Sequence, residues 1–401
     1  MRSSFLIFAI GALFLSLTDG ILWFQLRHLL KKKWQIVSYL AQFLFFILAL
    51  ALFQIFVPRL KGPEGYFWIE KLMGMLLLFY APKLIFILLN GIGMMLRRWN
   101  GRIAECLRKV ASTLSACLFL LLLYSITWGR YNYKLEEVTV PMEHLPAAFQ
   151  DFTIVQLADI HLGSYGKSYK GIARLVKEVN ALHPDLIVFT GDMVNNFADE
   201  MIPWIDELKA LKAKYGKFAV TGNHDYGDYT RWDTPEAKAD NLKRFYENMD
   251  KMGFHMLDNT CVPIVLQKDT LWLAGVENWG KPPFPRYGRL DEALHAIPDR
   301  RSVVLLSHDP SHWRAEILNR PVQLTLSGHT HAMQMGIKIG KKEWSPAQYL
   351  YPEYDGLYRE GNQYLHISRG QGYLGFPGRI GLRPVITVLK LVPENQTFSC
   401  P

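Results

Sequence analysis

Four apolar stretches crowd the first third of the chain, at about 6–26, 36–57, 72–94 and 110–128. Each is 19–23 residues long, enough as a helix to cross a hydrocarbon core about 30 Å thick. The second and fourth carry no charged residue. The first has only Arg2 as a basic start and no clear small-x-small cleavage site, so with three more spans behind it we read it as a retained span rather than a signal peptide.

Charge orients the four spans. The whole chain of 401 residues carries a net +9, which on its own would invite a nucleic-acid reading. The charge is unevenly spread. Residues 1–134 contain 16 Lys and Arg against four acids, Asp19, Glu64, Glu70 and Glu105, leaving the remainder at −3. The first connection holds Arg27, Lys31, Lys32 and Lys33, and the third holds Arg97, Arg98, Arg102, Arg108 and Lys109. The N-terminus offers Arg2, and the second connection only Arg59 and Lys61. Basic loops stay on the cytoplasmic side, so everything after Trp128 is expected outside, in a multi-pass plasma (inner) membrane protein. The basic balance reports topology, and no nucleic-acid partner is expected.

Two spans carry an ionisable group, Asp19 in the first and Lys83, beside Pro82, in the third. A lone charge at membrane depth is costly. Both spans run outside to inside at comparable depth, so an Asp19–Lys83 pair is one reading; the other places Asp19 nearer the interface with Lys83 snorkelling along its stem.

From about residue 131 the pattern changes. Five short apolar runs, 153–158, 186–189, 218–220, 303–306 and 323–326, each end in polar residues. They lead into Asp159-Ile160-His161, Thr190-Gly191-Asp192, Gly222-Asn223-His224-Asp225, Ser307-His308-Asp309-Pro310 and Gly328-His329-Thr330-His331. Runs this short and apolar are strands buried on both faces. Helix-like segments at 169–182 and 203–215 separate the first three, which makes an α/β sheet. Ligands bind at the carboxyl ends of such strands, where all five clusters lie.

The residue types fit one chemistry. Asp159, His161, Asp192, Asn223, His308, His329 and His331 are oxygen and nitrogen donors without a cysteine, suited to Mn, Fe, Zn or similar divalent ions. Seven donors exceed one four-coordinate ion and fit two ions sharing a carboxylate, which clamp a phosphoryl group and activate water as hydroxide. His183, His255, His312 and His366 lack such a setting and are expected to be structural.

Over about 133–392 these five ordered blocks resemble the calcineurin-like metallophosphoesterase superfamily, in particular its bacterial membrane-anchored branch. The resemblance implies a four-layer α/β/β/α sandwich of two mixed sheets, here preceded by a four-helix transmembrane region. It implies that Asp159, His161 and His331 hold one ion, that Asn223, His308 and His329 hold the other, and that Asp192 bridges both. His224 would be the catalytic, phosphate-facing acid, with Asp225 supporting it. After its final histidine the branch often has two glycines and a glutamine, where this chain has Ala332-Met333-Gln334. A glycine-rich tail, 369–379, has two readings: it brings Arg369 or Arg379 toward the phosphate, or it forms tight turns with a solvated arginine.

The expected organisation is a transmembrane region at 1–130 and a catalytic domain at 131–401. The expected function is hydrolysis of phosphoester or pyrophosphate bonds by metal-activated hydroxide, on a lipid-linked or small phosphorylated substrate, with the bilayer as partner. Soluble nucleotides are the alternative substrate class. A non-catalytic membrane sensor is the alternative function. A transporter has only Asp19 and Lys83 in its favour. Oligomeric state is left open. Cys261 and Cys400 are weighed as a pair, and Asn395-Gln396-Thr397 matches a glycosylation sequon.

Overall fold

The computed structural model describes residues 2–56, 62–166, 170–282, 285–298, 302–340 and 342–394. Val57, Arg59, Lys61, Tyr169, the Asn395 sequon and Cys400 lie outside the described residues. The chain separates into two compact units. One is Met1–Gly129 with Gly375–Gly378, and the other is Arg130–Leu374 with Arg379–Pro401.

The first unit has four helices, α1 (Arg2–Leu26), α2 (Lys33–Phe56), α3 (Pro63–Leu96) and α4 (Gly101–Thr127). All four are long and apolar enough to cross a membrane. They extend past the hydropathic windows because backbone hydrogen bonding continues into polar flanks. Asn100 caps α4 by accepting from the N–H groups of Arg102 and Ile103 at 3.0 and 3.2 Å. Large apolar residues such as Leu44, Leu88 and Leu120 face outward and are exposed. Water would penalise that surface, whereas lipid would not. Inside, Leu15, Phe46 and Tyr80 form a small packed cluster. Asp19 and Lys83 meet there at 2.6 Å, which decides between the two readings in favour of the pair.

The second unit is built on two six-stranded sheets. Its strands in chain order are β1 (Lys134–Met142), β2 (Thr153–Leu157), β3 (Leu186–Thr190), β4 (Lys217–Val220), β5 (His255–Met256), β6 (Thr260–Leu266) and β7 (Asp269–Gly275). They continue with β8 (Val303–Leu306), β9 (Leu324–Ser327), β10 (Ile337–Ile339), β11 (Lys342–Trp344), β12 (Gly356–Glu360), β13 (Gln363–Ile367) and β14 (Val385–Pro393). The first sheet runs β1-β14-β2-β3-β4-β5 and the second β12-β13-β9-β8-β7-β6, with β10 and β11 a separate hairpin. Parallel strands fill the sheet centres. Antiparallel joins occur where β14 meets β2, β12 meets β13 and β6 meets β7.

Facing sides of the two sheets enclose one core that includes Ile154, Val188, Val220, Leu306 and Leu326. The outer face of the first sheet packs under α5 (Lys170–Ala181), α6 (Ile205–Lys209) and α7 (Pro235–Lys251). The outer face of the second packs under α8 (Leu290–Leu294) and a single π turn, Trp313–Ile317. Both faces of each sheet are therefore covered, and the strands β2, β3, β4, β8 and β9 that precede the five polar clusters are almost wholly buried.

The helix expected at 203–215 is much shorter. A 3₁₀ segment, Ala198–Trp204, contains Pro203, and α6 stops at Lys209. Asn180 explains the stop. Its side chain donates to the carbonyl of Ala210 and accepts from the N–H of Lys212, both at 2.8 Å, replacing the next helical bonds.

Candidate metal centre

All seven donor residues sit just beyond strand ends, four from the first sheet (Asp159, His161, Asp192, Asn223) and three from the second (His308, His329, His331). The turns are tight. Asp159, His161, Asp192, His329 and His331 all take positive φ, between 50° and 75°, at a cost of about 1 kcal/mol or more each. Two glycines make the approach feasible. A Cβ on Gly222 would lie 2.2 Å from Asp192 Oδ1, and one on Gly328 would lie 2.5 Å from Asp159 Oδ2.

The donors fall into two groups, each with one atom per residue within 4.8 Å of the others. One is Asp159, His161 and His331, and the other is Asp192, His308 and His329. His161 Nε2 and His331 Nε2 are 3.0 Å apart. His331 Nε2 lies 3.6 Å from Asp159 Oδ1. Asn223 joins the second group through Oδ1, 3.1 Å from His308 Nε2 and 2.9 Å from His329 Nδ1. Asp192 Oδ2 lies between the groups, 3.2 Å from His308 Nε2 and 3.6 Å from His161 Nε2.

Hydrogen bonds fix which atoms face inward. His161 Nδ1 is bonded to the Val194 carbonyl and His308 Nδ1 to the Thr190 carbonyl, so Nδ1 carries the proton in both rings. Their Nε2 lone pairs then point into the site. Asn223 Nδ2 donates to Tyr229 Oη at 2.7 Å, which turns Oδ1 inward.

Divalent cations fit this donor set. A neutral His308 would bring its Nε2 lone pair within 3.2 Å of both Asp192 Oδ2 and Asn223 Oδ1, three acceptors with no hydrogen among them. A proton or a cation must lie between. Without a metal, His308 takes the proton. Burial opposes this, but the charge and hydrogen bond of Asp192 push it up to about 10. Burial drives His161 down to about 3 and His331 well below the ordinary imidazole range, the state in which imidazole is a ligand. Burial also raises Asp159 to about 7, with Asp192 adding to the rise. Asp192 is held well below the usual carboxylate range despite its burial, by His308, His224 and His161.

His224 sits at the rim. Its backbone N–H donates to Asp192 Oδ1 at 2.9 Å, and its Nδ1 is bonded to the Asn195 carbonyl at 2.8 Å. The ring packs against Tyr229 with centroids 4.4 Å apart and meets His161 edge-on at 5.0 Å. Asp225 does not support His224 as expected. It is buried and accepts from the N–H groups of Asp192, Met193, Val194 and Gly222, so it holds the loop that carries Asp192. Neither arginine of the glycine-rich tail faces a phosphate position. Arg379 is buried and donates to the carbonyls of Arg369, Gly370 and Gly372. Arg369 pairs with Asp355 and Glu343.

Of the four histidines expected to be structural, two are buried and hydrogen-bonded, His312 Nδ1 to Ser307 Oγ and His366 Nδ1 to Gln156 Oε1. His183 and His255, the latter on β5, are exposed rather than in the core. Among the described residues Cys261 has no disulfide partner; its weighed partner, Cys400, lies outside them. Two residues at the site were not anticipated: Tyr229, and Tyr351, whose hydroxyl lies 2.9 Å from His329 Nε2. Both arrive on loops whose spacing carries no signal.

Residues 152–333 match the calcineurin-like phosphoesterases. The chain is 31% identical over 281 residues to a transmembrane protein with metallophosphoesterase domain from Danio rerio, aligning 68% of this chain with 60% of that one. It is 31% identical over 265 residues to a protein of the same description from Bos taurus, aligning 63% with 56%. It is 30% identical over 268 residues to YkuE, an uncharacterised metallophosphoesterase of Bacillus subtilis, aligning 65% with 85%. The chain thus spans under two thirds of the vertebrate relatives and most of the bacterial one. With the strand-end donors, the two-sheet fold and these matches together, the chain belongs to the calcineurin-like phosphoesterase family.

Proposed function

We propose that this protein is a membrane-anchored phosphoesterase that works with two divalent cations, and that its substrate is a lipid-linked phosphoester or pyrophosphate. The observation that carries the two-cation reading is the place of Asp192 Oδ2, within 3.6 Å of one histidine from each donor group. Asp159, His161 and His331 would hold one cation, Asn223, His308 and His329 the other, with Asp192 shared. When bound, such ions polarise phosphoryl oxygens and lower the pKa of water. The chain's own residues do the rest. Val194 and Thr190 orient the rings of His161 and His308 through their carbonyls. With Nδ1–H committed to the Asn195 carbonyl, a doubly protonated His224 would hand its Nε2 proton to the leaving oxygen and remain as the neutral Nδ1–H ring.

Covalent attachment to four membrane-capable helices favours a substrate that is itself membrane-borne. The basic first and third connections support an orientation with those loops cytoplasmic and residues 131–401 outside. Metal content and turnover of chromogenic phosphomonoesters and phosphodiesters, measured on the detergent-solubilised full chain, test the reading. Turnover that survives exhaustive chelation would sink it. A C-terminal fusion reporter active only in the cytoplasm would overturn the orientation.

A further inference from the structure

The helical unit contains a polar cavity of about 260 Å³ at the end where α1 and α3 finish and α4 begins. Gln25 and Asn90 lie at its buried end, joined by a 2.9 Å bond from Asn90 Nδ2 to Gln25 Oε1. Gln25 Nε2 is fixed in turn by the Ile87 carbonyl at 3.1 Å. Arg97 and Arg108 line it from α3's end and α4, and the exposed His28 lines it from beyond α1. One acid, Glu105, is also present; it is paired with Lys109 at 3.1 Å and feels the charge of Arg108 more weakly. Among the described residues neither guanidinium has a carboxylate within salt-bridge distance. The first turn of α4, at Gly101 and Ala104, completes the wall; the N–H groups of Arg102, Ile103 and Ala104 are already bonded to Asn100, so the arginines supply the positive charge.

Such a site suits an anion. Two guanidiniums present paired donors matched to phosphate geometry, and the amides of Gln25 and Asn90 suit the hydroxyls or esters around a phosphate. The same end carries the basic first and third connections, where anionic headgroups gather on a cytoplasmic leaflet. We propose that this cavity binds the headgroup phosphate of an anionic phospholipid, at a site separate from the metal centre. Its occupancy would bridge the ends of α1, α3 and α4.

The test uses the full chain in nanodiscs of phosphatidylcholine, with and without phosphatidylglycerol, reading retained lipid by native mass spectrometry and stability by thermal unfolding. Wild type is expected to retain phosphatidylglycerol and to unfold at a higher temperature with it. R97Q/R108Q is expected to weaken retention on the order of 10- to 30-fold. R98Q/R102Q removes the same charge from neighbouring residues outside the cavity and is expected to bind as wild type. His28→Glu, at an exposed position, places a carboxylate at the cavity and gives a second reading should the arginine variant fail to fold; it too is expected to expel the lipid. Equal loss in both double variants would mean diffuse attraction and overturn the site. An equal stabilisation by inorganic phosphate in pure phosphatidylcholine would overturn the lipid assignment.

Discussion

Lys83 Nζ lies 2.6 Å from Asp19 Oδ1 inside the helical unit, with Tyr80 donating to the other carboxylate oxygen at 2.7 Å. Removing one member leaves the other charge buried without its counter-ion. Asp19→Asn and Lys83→Met are each expected to destabilise the protein by about 3 kcal/mol. D19L/K83M should recover most of that loss, because two apolar residues leave no charge behind. Thermal unfolding in detergent reads this directly. A double variant as unstable as the summed singles would show that the pair is not the unit of stability.

Asp192 and Asp225 separate holding a cation from holding a loop. Asp192→Asn is expected to cut turnover by more than 10²-fold and to reduce bound metal. Asp225→Asn keeps the shape but leaves one acceptor oxygen, so its NH2 faces two of the four backbone N–H groups that the carboxylate accepts. It should lose roughly 10–100-fold in metal affinity or activity, and excess metal should restore part of it. Metal titration against activity distinguishes the two.

His224 is expected to act through the leaving group. His224→Asn should slow hydrolysis of alkyl phosphoesters by about 10²-fold or more while barely affecting p-nitrophenyl esters, whose leaving oxygen needs no proton. Equal losses on both substrates would assign His224 to phosphate positioning instead.

His366 gives an acid-stability signature. Burial drives its pKa down to about 4, with Arg369 adding to the depression and Glu136 opposing it. Between pH 6.5 and 4 the unfolded chain therefore binds a proton that the folded one refuses, and stability is lost as pH falls through that window. Replacing His366 with Gln should flatten this part of the curve, by at most about 3 kcal/mol. Unfolding midpoints at pH 7.5, 5.5 and 4.5 check it.

Ala332, Met333 and Gln334 take φ of 47°, 48° and 57°, left-handed values that glycine adopts without the Cβ penalty. Met333 is exposed, so Met333→Gly should relieve strain at little packing loss. A gain of about 0.5–1 kcal/mol is expected after the extra unfolded-state freedom of glycine is subtracted. A loss would mean that the Met333 side chain contributes packing of its own.

The spans and the central strands were legible because each rests on a local signal: continuous apolarity, or a short buried run broken by Gly, Asp or His. The gathering of the seven donors was legible for the same reason, since each follows a strand by two to four residues. The margins were not. β14 forms near the end of the chain and inserts between β1 and β2, a pairing that no local pattern encodes. Side-chain-to-backbone bonds were equally hidden, as when Asn180 stops α6 or Asp225 turns from His224 to the Asp192 loop. The tail arginines were illegible because a glycine-rich setting fits access to ligand and a solvated turn alike, whereas Arg379 is buried among carbonyls.

Each donor group draws from both sheets: Asp159 and His161 meet His331 across the core, and Asp192 meets His308 and His329. A cation bound to either group would therefore rivet one sheet to the other along a single edge. Loading and closure of that edge become one equilibrium. A cell short of the metal would then hold a protein with a loosened seam as well as an idle site.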